Sequence, residues 1–263
     1  MAMTLSSGSG SSFGTHGPET AVFGGGETRG RVGTRRLAWT TRSVSAARVA
    51  GPVMSGGVEA RIMGERESAR LWCMRHGEST NALAPRGGLL RDAPLTEEGR
   101  RQAGVAAVAV REYDPATVYC SDTVRAYDTA RILAKDLDVD VVVLKDLTEI
   151  SVGSADGADR RLVNHEAALT LRAWIVDGDL ETRVRDGESG QEVQARVTRA
   201  LRYIADATRA GDSAVVVGHV ASLTVGVTAL CGRGQQLWGR PLPNAVPFPL
   251  TSDGGGWWCR WPT

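Results

Sequence analysis

The sequence predicts an α/β fold of three layers, α/β/α, in which helices cover both faces of a mostly parallel central sheet. From about residue 67 onward, short apolar runs of strand length alternate with segments of helical length. The run "SAVVVGH" at 213–219 is apolar without alternation, as expected of a strand buried on both faces. Strands that alternate with helices need crossover connections, which favour parallel pairing. A hydrophobic fraction of 42% is sufficient for a sizeable core.

The first elements of the folded part follow from its opening sequence. "RLWCMRH" at 70–76 is an apolar run that ends in polar groups, which predicts a buried strand leading into a loop. Thr96 is a suitable N-cap residue, and the acidic pair Glu97 and Glu98 suits the positive end of a helix. We therefore expect a helix from Thr96 to about Arg111.

The later elements continue the alternation. The β-branched run "VDVVVL" has strand character, and Gly211-Asp212 interrupts a helical pattern. We predict strands at 117–121, 139–144 and 213–219, helices at 123–137, 162–176 and 189–210, a further helix that ends near Cys231, and edge strands in "NAVPFPL" and "GWWCRW".

Residues 1–66 differ from the rest, because they are rich in Gly, Ser, Thr, Ala and Arg and have little apolar periodicity. Such a composition does not offset the entropy of ordering the chain. We predict a disordered or misassigned N-terminal extension at 1–66, followed by one domain at 67–263. The Arg- and Ser-rich, acid-poor stretch at 28–50 is also similar to an organelle transit peptide, and this alternative stays open.

Charge and cysteine content narrow the function classes. The formal net charge of +1 gives no reason to expect a nucleic-acid or membrane partner. No stretch approaches the ~20 apolar residues that span a bilayer. The cysteines show no spacing typical of a metal site or a disulfide framework. The four cysteines are Cys73, Cys120, Cys231 and Cys259. We therefore expect a cytoplasmic protein without a metal ion.

Polar side chains follow three of the predicted strands. Arg75-His76, Ser121 and Gly218-His219 each stand at a strand end, and Arg125 lies one helical turn beyond Ser121. In parallel sheets, ligands bind at the carboxyl ends of the strands. The planar guanidinium fork matches phosphate oxygens, and a helix N-terminus attracts anions. The sequence therefore predicts an anion site with two histidines.

These residues lie in segments that resemble the histidine phosphatase superfamily, whose fold is phosphoglycerate-mutase-like. An Arg-His-Gly triplet alone is a weak signal, but here five companion blocks follow it in the family's order. The resemblance covers about residues 69–250. Its blocks are "LWCMRHGEST", "PLTEEGRRQA" (94–103), "CSDTVRAYDTA" (120–130), "LTEISVG" (147–153), "GESGQEVQAR" (187–196) and "VVVGHVASL" (215–223).

The resemblance implies a catalytic domain that needs no cofactor, and a role for each matched residue. His76 attacks phosphorus to form a phosphohistidine, which water then hydrolyses. Arg75, Arg125 and His219 hold the phosphoryl oxygens, and Glu149 protonates the leaving oxygen. We expect kcat/KM to fall at both ends of the pH range, with the acid limb from His76 and the alkaline limb from Glu149.

Some positions depart from the family's pattern. Asn81 lies one position earlier than the family's asparagine, and it is predicted to bind phosphate together with Ser79, for which a loop-capping role is equally consistent. Asp122-Thr123 replaces Pro-Leu ahead of the arginine, and Val220 follows His219 where glycine is common.

Three functions remain open at this level. The favoured one is hydrolysis of a small phosphomonoester, such as a sugar or carboxylic-acid phosphate, because the segment between the two histidines has few insertions to exclude water. The alternatives are a phosphoglycerate-type mutase and a phosphate- or phosphoprotein-binding module without turnover. Arg86 and Arg91 suggest a second anionic group on the substrate. A homodimer is also left open.

Overall fold

A six-stranded sheet forms the centre of the computed structural model, which describes residues 69–252 and 256–262. The prediction of a disordered or misassigned extension at 1–66 lies outside the described residues. The strands of this sheet are β1 (Arg70–Arg75), β2 (Pro115–Cys120), β3 (Asp140–Val143), β4 (Ser213–Gly218), β5 (Phe248–Ser252) and β6 (Trp257–Cys259).

Helices occupy most of the connections between these strands. A π-helical turn at Ala173–Asp177 directly continues the third helix, and 3-10 turns occur at Thr80–Ala82, Lys145–Leu147 and Gly153–Ala155. The helices are α1 (Glu97–Arg111), α2 (Val124–Leu137), α3 (Arg160–Arg172), α4 (Gly190–Ala207), α5 (Val220–Cys231) and the short α6 (Gly234–Leu237).

The strand order is β3-β2-β4-β1-β5-β6. The first four strands are mutually parallel, and β5 and β6 are antiparallel to their neighbours. The mostly parallel sheet is thus confirmed. The prediction that both C-terminal segments are edge strands is wrong for β5, because β5 pairs with β1 on one side and with β6 on the other. Only β6 ends the sheet there.

Alternate residues of the central strand β4 enter two separate cores, as the pleat of a strand requires. Ala214 and Val216 belong to the core formed with α4 and α5. Val215 and Val217 belong to the core formed with α1 and α2. Because both faces of β4 are covered, the strand is fully buried, and the predicted three-layer arrangement is confirmed.

Local capping explains where the helices begin. Thr96 caps α1 as predicted, since its Oγ1 accepts a hydrogen bond from the Gly99 N–H at 3.0 Å. The predicted start of α3 at 162 is two residues late, because Asp159 caps the helix by accepting from the N–H groups of Arg161 and Leu162. A capping box of Ser189 and Glu192 starts α4.

The first turn of α1 packs directly onto the loop after β1, and this contact requires glycine. A Cβ built on Gly99 would lie 1.9 Å from the carbonyl oxygen of Glu78, and one on Gly77 would lie 2.4 Å from the Gly99 oxygen. Both distances are far shorter than any van der Waals contact. The loop that begins with His76 is therefore held against a helix end.

The C-terminal tryptophans differ in their surroundings. The Trp261 ring packs against Phe248 at 5.1 Å between centroids, and its Nε1–H donates to the Arg240 carbonyl at 2.9 Å. Trp258 is exposed on β6. Within residues 69–252 and 256–262, no helix has both the length and the hydropathy that a bilayer crossing requires.

The contact at Gly99 makes a stability prediction with a control on the same helix. Gly99→Ala should lower the free energy of unfolding by about 1–3 kcal/mol, because its Cβ overlaps backbone that has to move. Gly104→Ala should raise it by about 0.5–1 kcal/mol, since outside the adjoining helix no atom of the described residues lies within 4 Å of the added Cβ. Urea unfolding of both variants measures this, and equal shifts would contradict the packing.

Candidate active site

Two hydrogen bonds fix the protonation of the His76 imidazole. His76 lies immediately after β1 and is buried. Its Nδ1 is 2.6 Å from the Gly77 carbonyl oxygen, which only accepts, so Nδ1 carries the proton. The Arg125 Nε–H donates to Nε2 of His76 at 3.1 Å, so Nε2 holds a lone pair. The ring is thereby set in the tautomer that a nitrogen nucleophile needs.

Arg125, in the first turn of α2, is also buried, with 1% of its surface exposed. Its two terminal nitrogens donate to the carbonyls of Leu90 at 2.9 Å and Leu89 at 3.0 Å. Thr129 ties the same helix to the loop after β1, because its Oγ1 accepts from the Gly77 N–H at 3.1 Å and donates to the Arg125 carbonyl at 2.7 Å. The guanidinium is thus held by hydrogen bonds to His76, Leu89 and Leu90, and its helix is held to the loop after β1.

His219 is the N-cap residue of α5 and is fully buried. Its Nε2 lies 2.6 Å from Ser121 Oγ and 3.4 Å from Thr123 Oγ1. Its ring is edge-on to that of His76, with 5.1 Å between centroids and 62° between planes. The two histidines are therefore close enough to contact one ligand.

Two further nitrogens in this site have no acceptor among the described residues. They are Nε of Arg75 and Nδ1 of His219, and both are buried. Another nitrogen of Arg75 donates to the Leu242 carbonyl at 3.3 Å, which anchors the guanidinium. If the Ser121 hydroxyl donates to Nε2 of His219, the proton of that ring lies on Nδ1. Buried donors without acceptors are costly, so an anion that accepts from both nitrogens would be favoured.

Burial dominates the electrostatics of the site. Desolvation, with the charge of Arg125 as a lesser cause, lowers the pKa of His76 to about 3. Burial likewise holds the pKa of His219 well below its ordinary value, and it lowers the pKa of Arg75 and of Arg125. The Glu149 carboxylate opposes this shift at both arginines. The buried Arg125, the half-buried Arg75 and one nearby carboxylate leave a net positive site.

Glu149 lies between β3 and α3, where it meets the first turn of α5. Its Oε1 accepts from the Ser222 N–H at 2.8 Å, and its Oε2 accepts from the Ala221 N–H at 3.2 Å. Oε1 also accepts from the N–H of Ile150 at 3.0 Å. The carboxylate thus lies at the helix end whose N-cap is His219.

Arg196 of α4 holds this segment in place, a function that sequence reasoning missed. Its guanidinium donates to the carbonyls of Asp146 at 2.9 Å, Thr148 at 2.7 Å and Glu149 at 3.3 Å. It also forms a largely buried ion pair with Glu188 at 2.7 Å. Both side chains lie in the matched block "GESGQEVQAR", but nothing in that block indicates which backbone they bind.

Asp122, one of the departures from the family's pattern, joins two loops of the site. Its Oδ2 forms an ion pair with Arg91 at 2.8 Å, and its Oδ1 accepts from the Thr148 hydroxyl. The substitution therefore connects the loop at 83–94 with the residue that precedes Glu149. Sequence reasoning noted the change but not this contact.

The contact of Asn244 with His76 was also not predicted from the sequence. The Nδ2 of Asn244 donates to the His76 carbonyl at 2.9 Å, which fixes the backbone of the histidine from the C-terminal part of the chain. A lone asparagine so far from the matched blocks carried no signal.

Ser79 and Asn81 contact each other, and the structure gives no hydrogen bond from either to the buried histidines or arginines within its described part. The Ser79 hydroxyl donates to Asn81 Oδ1 at 2.6 Å, beside the turn at Thr80–Ala82. In this ligand-free arrangement the pair stabilises its own loop, while its predicted role toward phosphate stays a prediction.

The arrangement combines a neutral nitrogen nucleophile, convergent cations and a carboxyl group, which are the components of group transfer through a covalent intermediate. In the part of the chain that is described, no group of three or more His, Cys, Asp or Glu side chains is placed to hold a metal ion.

Known proteins are similar to this chain in sequence. The adenosylcobalamin/alpha-ribazole phosphatase of Salmonella typhimurium is 30% identical over 161 residues, which cover 61% of this chain and 79% of that protein. A probable phosphoglycerate mutase of Escherichia coli is 28% identical over 163 residues, which cover 62% and 75% of the two chains.

Solved structures show the same fold. A mycobacterial glucosyl-3-phosphoglycerate phosphatase, solved in complex with VO3, aligns with a TM-score of 0.63 and 26% identity, and the alignment covers 73% of this chain and 97% of that one. The protein YhfR of Bacillus stearothermophilus aligns with a TM-score of 0.63 at 24% identity, over 74% and 96% of the chains, and supports the fold alone.

The predicted family is confirmed by a family model that matches residues 71–262, a range that includes every residue of the candidate site. The chain belongs to the histidine phosphatase superfamily, branch 1.

Proposed function

We propose that this protein hydrolyses small phosphomonoesters through a phosphohistidine formed on His76. The observation that carries the proposal is the neutral His76 ring, whose Nε2 lone pair faces the guanidinium of Arg125 in a buried, positively charged site. Phosphatase relatives in Salmonella and in mycobacteria support the same class of reaction.

In the proposed first step, the phosphoryl group enters between His76 and the site's cations. Nε2 of His76 bonds to phosphorus while the bond from phosphorus to the leaving oxygen breaks. Arg125 then donates to a phosphoryl oxygen instead of to Nε2. Arg75 and His219 supply the nitrogens that have no acceptor in the described part of the chain, and together these groups neutralise charge in the transition state.

Glu149 is the proposed proton donor to the leaving oxygen. Its carboxyl group lies at the start of α5, next to His219, and in this step it enters protonated and is left as the carboxylate. After the alcohol departs, the carboxylate accepts a proton from the water that attacks phosphohistidine, and His76 is regenerated. Arg196 acts through the backbone of Glu149 as a positioning residue.

A phosphoglycerate-type mutase remains the second candidate, since one relative is named a probable phosphoglycerate mutase. Such an enzyme needs its phosphohistidine to survive until a second substrate accepts the group, and it would require a bisphosphate primer. Hydrolysis without a primer distinguishes the phosphatase from the mutase.

The nucleophile is tested by His76→Asn. Phosphate release from a panel of phosphorylated metabolites, measured with EDTA present, should fall by at least about 1,000-fold, because the asparagine amide cannot replace the attacking imidazole nitrogen. His165→Asn, on the exposed surface of α3, is the matched control and should retain full activity.

Retention of a tenth or more of the activity by His76→Asn would contradict the proposal. Ligand binding by the wild-type protein with no turnover above His76→Asn would instead support the non-catalytic binding module.

The proton donor is tested by Glu149→Gln with two leaving groups. Hydrolysis of an alkyl phosphate should fall by about 100- to 10,000-fold, because a poor leaving oxygen needs a proton in the transition state. Hydrolysis of p-nitrophenyl phosphate should fall much less. Glu181→Gln, an exposed carboxylate on the α3–α4 connection, should change neither rate. Equal losses on both substrates would remove Glu149 from this role.

The buried neutral His76 predicts a pH-dependent stability. Its pKa is about 3 when folded and 6.5 as a free side chain, so between these values the unfolded chain binds a proton that the folded protein excludes. Stability contributed by the neutral ring is therefore lost as pH falls below 6.5. When the pH falls from 7 to 5, the free energy of unfolding should therefore decrease by roughly 2 kcal/mol more in the wild-type protein than in His76→Asn.

Urea unfolding at both pH values measures this difference, and His165→Asn serves again as the control. An identical loss of stability in the wild-type protein and His76→Asn would show that His76 is not held neutral by burial.

A further inference from the structure

A cavity of about 230 Å³ opens beside Glu149. Val220 and Ala221, which follow His219, form one wall together with Glu149. Residues of α3 and of the segment after Glu149 form the others, and the apolar side chains among them include Ile150, Val152, Val163, Ala167 and Leu171. Glu149, the proposed proton donor to the leaving oxygen, thus belongs both to the reaction centre and to the lining of this cavity.

The walls carry almost no charge. Glu149 is the one ionisable side chain among the lining residues, and Asn164 is the one amide. The arginines that suggested a second anionic group on the substrate are not among the lining residues. Arg86 donates to the Gly157 carbonyl at 2.8 Å, and Arg91 is paired with Asp122 at 2.8 Å. No lining cation would therefore offset a carboxylate or a second phosphate placed here.

The cavity is also preformed. Ile150, Val152 and Val163 are almost fully buried and belong to the core shared with α4 and α5. Their positions are thus set by the fold rather than by a ligand. A preformed apolar wall beside a polar reaction centre is typical of sites that bind the apolar part of a small molecule.

We propose that this cavity binds the leaving group, and that the preferred substrates are phosphomonoesters of largely apolar, ring-bearing alcohols rather than sugar or carboxylic-acid phosphates. The proposal rests on the phosphatase function proposed above and specifies its substrate class. An aliphatic-walled cavity of roughly 150 Å³ takes up a benzene ring. A cavity of about 230 Å³ accordingly holds one ring with a short substituent or linker.

Three primary alkyl phosphates with different leaving groups test the preference in the full-length protein. They are 2-phenylethyl phosphate, glycerol 3-phosphate and 3-phosphoglycerate. Because their leaving oxygens are alike, differences in kcat/KM report on the cavity. Burial of the phenyl ring should make kcat/KM for 2-phenylethyl phosphate at least about 10-fold higher than for the other two. Equal values, or a preference for either polar substrate, would overturn the proposal.

A pair of variants on α3 ties the preference to the cavity. Ala167→Arg places a cation in the wall, and it should lower kcat/KM for 2-phenylethyl phosphate at least about 10-fold while raising that for 3-phosphoglycerate. Leu169→Arg introduces the same side chain at an exposed position of the same helix outside the cavity, and it should leave the preference unchanged. Identical behaviour of the two variants would overturn the assignment.

Hydrolysis by the wild-type protein distinguishes failure of the proposed function from failure of the cavity assignment. If none of the three compounds is hydrolysed above the His76→Asn background, the phosphatase function fails. The cavity is then tested by calorimetric binding of two non-hydrolysable phosphonates, 2-phenylethylphosphonate and 3-phosphonopropionate. At least about 10-fold tighter binding of the phenyl compound supports the cavity assignment, and equal affinities overturn it.

Discussion

The chemistry of the site depends on the pair of hydrogen bonds at His76. One bond runs from Nδ1–H to the Gly77 carbonyl, and the other runs from Arg125 to Nε2. Since a carbonyl cannot donate and this guanidinium does not accept, each bond assigns one ring nitrogen. Burial favours the same neutral state by penalising the imidazolium. The proposed nucleophile is thus held in its neutral tautomer before any ligand binds, next to the buried guanidinium of Arg125.

The fold supplies this arrangement from residues that are far apart in the chain. Parallel pairing of β1, β2 and β4 brings His76, Ser121 and His219 to one edge of the sheet. The glycine contact between α1 and the loop after β1 fixes the direction in which His76 leaves its strand. Asn244 holds the same residue from the C-terminal side. The site is therefore constrained by backbone contacts on every side, which suits a group that has to be placed accurately for attack.

Sequence patterns predict the strands, the helices and the main site residues here because those features are periodic or are part of matched blocks. Alternation and apolar runs locate β1 and β4, and the strand-end rule brings the histidines together. Side chains that bind backbone carbonyls are different. Arg196 and Asn244 act on groups that every residue has, so no spacing distinguishes their targets. The hydrogen-bond partners of Arg86 and Arg91 are likewise seen only in the three-dimensional structure.

The tautomer of His76, measured by ¹⁵N-edited NMR on protein labelled at its imidazole nitrogens, tests the proposed nucleophile most directly. We predict a neutral ring with the proton on Nδ1 and a non-protonated Nε2, unchanged from pH 8 to pH 5. The His76→Asn variant assigns the resonance. An imidazolium, or a proton on Nε2, in the folded protein at neutral pH would contradict the proposed role of His76, because Nε2 would then have no lone pair with which to attack phosphorus.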